Sequence, residues 1–126
     1  TIDCIATDHA PHAEWEKDAD FDSAPFGISG LETALGVCVE TLVKPGLLTW
    51  SQLIEKLSIN PARIAGLACG TLGVGREADL TLIDPIAQWT VDPQRFASKG
   101  RHTPFAGRTL TSVVVRVLRH GVEVSR

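Results

Sequence analysis

Residues 1–12 read TIDCIATDHAPH, and their reading decides the fold. Thr1 to Asp8 reads as a short strand whose last residues bring Asp8 to its C-terminal end. Asp8, His9 and His12 then place a carboxylate and two imidazoles within five residues. Pro11 fixes its own φ and biases Ala10 to an extended conformation, so the three groups need not converge on one point. A polar, acidic stretch follows, from Ala13 to about Pro25. It is long for a connection inside a compact domain, and such loops are more often functional than incidental.

Working outward, SGLETALGVCVETLV predicts a helix. Ser29 and Glu32 have the spacing of a capping box, and Leu31, Leu35, Cys38, Val39 and Leu42 recur along one face. Lys44, Pro45 and Gly46 end it. Thr49 with Gln52 starts a second helix, striped by Leu53, Ile54 and Leu57. Asn60 as N-cap and Pro61 as first residue predict a third, ending near Gly70. Beyond Gly70 the pattern becomes β-rich. Ala78 to Asp84 alternates as a strand, Asp92-Pro93 opens a helical turn, and His120-Gly121 predicts a tight turn between Val117–Arg119 and Val122–Val124.

The bulk properties narrow the function. The chain has 126 residues, 44% of them hydrophobic and 21% charged, which is ordinary for a soluble globular protein. No apolar run approaches the ~20 residues of a membrane span. A net charge of −3 gives no electrostatic case for nucleic acid. Charge is uneven: seven acids stand against Lys17 in residues 1–24, and seven bases against Glu123 from Arg95 onward. Solvated loops and strand faces explain this better than a docking surface does. Cys4, Cys38 and Cys69 form no CxxC pair, which predicts small buried thiols in a reducing compartment. No signal peptide is visible, and the absence of an initial Met hints at removal upstream.

A carboxylate delivered from strand to loop has the geometry of catalytic groups in barrel enzymes. Such an Asp can ligate a metal through one oxygen and exchange a proton through the other, where the metal lowers the pKa of its water. On residues alone, a hydrogen-bonded structural Asp with surface histidines competes with this reading. SAPFGISG sets Pro25, Gly27 and Gly30 before a helix, which suits an anion at the helix N-terminus or a plain loop-to-helix turn. GTLGVG lacks the Lys-Ser/Thr of a phosphate loop and reads as a turn. His102 and His120 read as loop and hairpin residues, and Trp15, Trp50 and Trp89 as packing residues.

Together ATDHAPH, FDSAPFGISGLETAL, INPARIAGL, GREADLTLID and SKGRHTPFAGRTL, in that order, resemble the C-terminal part of class I dihydroorotases of the amidohydrolase superfamily. GREADLTLID is shared widely among amidohydrolases, whereas TDHAPH with APFGI and GLET is far more specific. Dihydropyrimidinases and allantoinases are similar in outline but differ around the histidine pair. The resemblance implies zinc-dependent, reversible cyclisation of N-carbamoyl-L-aspartate to L-dihydroorotate in pyrimidine synthesis, with one or two zinc ions. It implies an α/β fold: the last strand and following helices of a (β/α)8 TIM barrel over residues 1–70, then strands of a small composite β-sandwich over 71–126. Asp8 matches the metal-ligating aspartate after the eighth barrel strand, which is also the general acid and base. His12 matches a substrate-contacting histidine, Phe26 and Gly27 a main-chain substrate contact, and His9 a position without a direct ligand role. A cytoplasmic homo-oligomer is implied, with association with aspartate transcarbamoylase as a further expectation.

The family's H-x-H ligands, its lysine, its later histidines and its substrate-binding arginine have no match in these 126 residues. The expectation is therefore a fragment, inactive by itself. A catalytically dead dihydroorotase-like partner of the transcarbamoylase, or a related cyclic amidase, is the alternative. A fragment folding alone would expose the edges of strand 1–8 and self-associate there or begin disordered.

Overall fold

The computed structural model describes residues 2–124. The expected strand begins at Thr1, which lies outside them, and residues 2–8 form no strand. A strand needs a neighbouring ladder, and here the extended segment lies along a helix instead. Ile5 N–H donates to the Lys56 carbonyl at 3.0 Å. Asn60 Nδ2 donates to the Asp3 carbonyl at 2.9 Å, and Lys56 Nζ to that of Ile2. Ile5 itself packs into the helical core.

The acidic stretch contains a short helix, α1 (Glu14–Lys17), that sequence reasoning missed. Helix α2 (Leu31–Cys38) follows and continues as a wider π-helical turn, Val39–Val43. Next comes α3 (Trp50–Ile54), capped as expected: Gln52 N–H donates to Thr49 Oγ1 at 3.3 Å, and Thr49 N–H to Gln52 Oε1 at 2.8 Å. It runs through a π-helical turn, Glu55–Ile59, into α4 (Asn60–Ile64) without a break. Asn60 is therefore not an N-cap; it is helical, at φ −67° and ψ −44°. Pro61 lacks an N–H, and the wider turn before it absorbs the missing i→i−4 bond. This helix ends at Ile64, short of the expected Gly70.

The sheet has three antiparallel strands in sequence order: β1 (Leu80–Thr90), β2 (Thr109–Arg119) and β3 (Val122–Glu123). Strand β1 outruns the expected Asp84 because a bulge accommodates Pro85. Asp84 Oδ1 accepts from both Ile86 and Ala87 N–H at 3.0 Å, and pairing resumes at Gln88 with Thr111. His120 (φ 49°) and Gly121 (φ 76°) make the expected tight turn between β2 and β3. Asp92 caps the short 3-10 turn Pro93–Arg95, accepting from Gln94 N–H at 3.0 Å.

Two apolar cores meet across α2. One joins Cys38 and Val39 to Leu53, with Leu35, Trp50 and Leu57 around them. The other joins Leu110 to Val91 and Phe96, with Val37 and Trp89 alongside. Burial pushes the Cys38 thiol above its usual range, as expected for a buried cysteine. Cys4 and Cys69 are exposed, contrary to expectation, because they lie on segments that neither core covers. No described helix is long and apolar enough to cross a membrane.

Candidate active site

Asp8 is exposed and left-handed, at φ 44°, a conformation that Asp tolerates better than most residues. Its backbone bends between two pinned points. Before it lies the Ile5 bond to Lys56; after it, Ala10 N–H donates to the Ile28 carbonyl at 3.0 Å, and His9 and Ile28 form a parallel bridge. Among the described residues no hydrogen bond engages the Asp8 carboxylate, so both oxygens are available to a ligand.

His9, for which the sequence suggested no direct role, is the most heavily engaged residue of the cluster. Its Nδ1 accepts from the N–H groups of Gly30 at 3.0 Å and Leu31 at 3.2 Å. The start of α2 is thus capped by an imidazole, and of the two readings of SAPFGISG the open anion site is not the one formed. Nor does the expected Ser29–Glu32 box form, because both side chains have distant partners. Ser29 is buried; its Oγ donates to the Gly100 carbonyl at 2.6 Å, and its N–H to that of His102 at 2.8 Å. Glu32 Oε1 accepts from Ser98 N–H at 2.9 Å.

His12 Nε2 lies 2.8 Å from the Phe26 carbonyl, so Nε2 carries the hydrogen and donates. Its Nδ1 faces Glu16 Oε2 at 3.7 Å, beyond hydrogen-bond range. Glu16 Oε2 accepts from Ala13 N–H at 2.8 Å, which closes the first turn of α1. Lys17 Nζ donates to the Pro25 carbonyl at 2.6 Å. The acidic stretch is thereby folded back on itself, tied at His12 and at Lys17. The Phe26 side chain is 96% exposed, and Gly27, at φ 131°, lies against Ala10. An open cleft beside His12 is also lined by Trp15, Lys99 and Arg101, so part of the basic C-terminal half faces the acidic front.

Zinc, which the resemblance implies, can be tested against these donors. Asp8 fits: it is an anionic, solvent-facing oxygen donor with no competing partner. His9 does not, since amides occupy Nδ1 and Ser98 Oγ lies 3.4 Å from Nε2. A catalytic zinc takes about three protein ligands, and the described residues near Asp8 supply one. A separate donor group, Glu77, Asp79 and His120, has ligand atoms within 4.8 Å of one another. All three are exposed, Glu77 and Asp79 just before β1 and His120 in the β2–β3 turn, joined by a His120–Glu77 contact of 3.2 Å and a His120 N–H bond to Asp79 of 2.7 Å. No described contact links them to Asp8.

Comparison with known proteins shows the family to which the chain belongs. A dihydroorotase from Pelotomaculum thermopropionicum is 58% identical over 110 residues, covering 87% of this chain and 26% of that protein. A D-hydantoinase (dihydropyrimidinase) from Thermus sp. superposes with a TM-score of 0.88 at 26% identity, over 99% of this chain and 28% of that one. An L-hydantoinase (dihydropyrimidinase) from Arthrobacter aurescens gives 0.78 at 33% identity, over 85% of this chain and 24% of that one. The chain thus spans about a quarter of the length of the curated relatives it matches. Its mixed helix and sheet structure is shared with the hydantoinases. The Amidohydrolase family model matches residues 1–124, and the chain belongs to that family.

Proposed function

We propose that this chain is part of a dihydroorotase, a cyclic amide hydrolase that reversibly closes N-carbamoyl-L-aspartate to L-dihydroorotate. In this reading residues 1–70 are the end of its (β/α)8 barrel and 71–126 its C-terminal β-segment. The carrying observation is Asp8: an exposed carboxylate without a hydrogen-bond partner, held left-handed between two pinned backbone points. The substrate class rests on greater identity to the dihydroorotase than to either hydantoinase.

Each residue then has a task. Asp8 is one zinc ligand, the others coming from elsewhere in the whole protein, and its second oxygen takes or returns the proton of the ring amide. When bound, zinc supplies Lewis acidity at the reacting carbonyl. His12 holds the Phe26 carbonyl and lines the cleft where it contacts substrate, while the Phe26–Gly27 main chain supports the substrate's polar edge. Gly27 suits that segment because, without a Cβ, it can lie against Ala10 and His12 at φ 131°.

The test is the whole protein assayed for dihydroorotate hydrolysis, with and without Asp8→Asn. The expected result is activity that Asp8→Asn reduces by at least about 10²-fold, a loss typical for a proton-transfer group. An active Asp8→Asn enzyme would remove Asp8 from the mechanism. Turnover of dihydrouracil or allantoin without dihydroorotate would instead favour a hydantoinase-like cyclic amidase.

A further inference from the structure

We infer that His9 is the positioning residue for Asp8, setting the backbone that carries this carboxylate through a closed circuit of hydrogen bonds. The circuit runs through three segments distant in sequence. Nδ1 accepts from Gly30 and Leu31 at the start of α2. Two N–H donors on one nitrogen require its lone pair, so the ring is neutral there and its hydrogen sits on Nε2. Nε2 then donates toward Ser98 Oγ at 3.4 Å. Ser98 N–H donates in turn to Glu32 Oε1 at 2.9 Å, and Glu32 stands in the first turn of α2. The loop closes where it began.

The circuit bears on Asp8 because the two residues are consecutive. A non-glycine residue at positive φ persists only where its surroundings over-determine it, and Asp8 is at φ 44°. Its own side chain makes no hydrogen bond among the described residues, so the restraint must come through the main chain. His9 supplies that restraint with its ring, and Ala10 N–H extends it through the Ile28 carbonyl at 3.0 Å. A ligating carboxylate must be held to about 0.5 Å, and neighbours that orient a ligand are typically worth 10- to 100-fold in metal affinity or activity. Both ring nitrogens of His9 face protein groups. The residue acts through Asp8.

The inference rests on the proposed role of Asp8 as metal ligand, and its test separates the two. In the whole protein, His9→Ala, His9→Asn and Ser98→Ala are compared with wild type. Three quantities are measured: amide exchange at Gly30 and Leu31, zinc retention against a chelator, and kcat and KM for dihydroorotate. Asn places an acceptor where Nδ1 stands, so it keeps the α2 cap and gives up the reach to Ser98. His9→Ala is expected to speed exchange at both amides. Zinc affinity and kcat should each fall about 10- to 100-fold, with KM changed by less than about threefold. His9→Asn should recover the slow exchange and most of both losses. Ser98→Ala, which leaves α2 untouched, should weaken zinc retention in the same direction by a smaller factor, and carries the test if His9→Ala does not fold. Unchanged zinc retention in Ser98→Ala and in a folded His9→Ala overturns the inference, as does a His9→Asn enzyme with restored exchange but no recovery of zinc. A wild-type protein that binds zinc but leaves dihydroorotate intact would refute the substrate, while zinc retention still decides His9.

Discussion

Gly27 lies against the carbonyl oxygen of Ala10, so closely that a Cβ at Gly27 would stand 2.5 Å from it. Real Cβ atoms do not approach backbone oxygen so nearly, and φ 131° is strained for any L side chain. Gly27→Ala must therefore move either the turn after Phe26 or the strip carrying Asp8 and His12. The expected cost is roughly 1–3 kcal/mol of stability, read as a lower urea midpoint, with a raised KM for dihydroorotate. Unaltered values for both would mean that the two segments separate freely.

Asp8 invites an opposite result. Its carboxylate is exposed and makes no internal hydrogen bond, so Asp8→Asn should leave stability within about 0.5 kcal/mol even while activity is lost. Asn tolerates positive φ as Asp does, whereas Ala does not. Asp8→Ala should be the less stable variant by about 1 kcal/mol or more. Thermal melts of the two proteins, side by side, distinguish a strained functional residue from a structural one.

Gly36 and Leu110 join the helices to the sheet. Leu110 is fully buried, and a Cβ on Gly36 would come within 2.9 Å of its Cβ. Leu110→Ala is expected to cost about 2–5 kcal/mol, and Gly36→Ala about 1–3 kcal/mol through overpacking. The double variant should cost somewhat less than the sum, since Leu110→Ala removes Cγ and Cδ1, 3.5 and 3.0 Å from the added methyl, while the 2.9 Å approach to Cβ stays. Strict additivity in urea unfolding would show that the two sites do not compete for one volume.

Glu40 confers an acid-side pH dependence. Its Oε1 accepts from Lys44 Nζ at 2.8 Å and from Thr111 N–H at 2.9 Å. The Lys44 bond first, and the Thr111 contacts next, hold the carboxyl below its ordinary value of 4.5. The folded protein thus gives up this proton more readily than the unfolded chain does. Stability from Glu40 is fully present above that ordinary value and declines as pH falls through the lowered folded one. Urea midpoints taken from about pH 6 down to about pH 3 should fall less steeply in Glu40→Gln than in wild type. Parallel curves would assign the acid sensitivity to other carboxylates.

What the sequence disclosed was mostly what neighbours decide. The Thr49–Gln52 box, the Asp92 cap and the His120-Gly121 turn each involve residues within three positions, and all three formed. Ser29 and Glu32 have the same spacing but bind Gly100 and Ser98 instead, 71 and 66 positions away. Local pattern has no access to such competition. For the same reason His9 had no visible task, its partners being 21, 22 and 89 positions distant. The segment before Asp8 reads as a strand because strand character is local, whereas a ladder is not, and its hydrogen bonds go to the 50–64 helix. Asp8, His12, Phe26 and Gly27 were nominated by motif, and the structure brings the last three together.

The bonds from Ser98 and Gly100 have a meaning in time as well as in space. During synthesis Ser98 is added 89 residues after His9. At about 5–20 residues per second, that is a wait of roughly 4–18 s. The imidazole cap of α2 is available meanwhile, since His9, Gly30 and Leu31 are all made early. The circuit behind Asp8, and the partner of the buried Ser29 hydroxyl, arrive only with the later segment. A nascent chain interrupted before that point would carry every residue of the motif and lack the geometry. Synthesis past residue 100 thus becomes a precondition for the bonds that restrain the backbone beside Asp8.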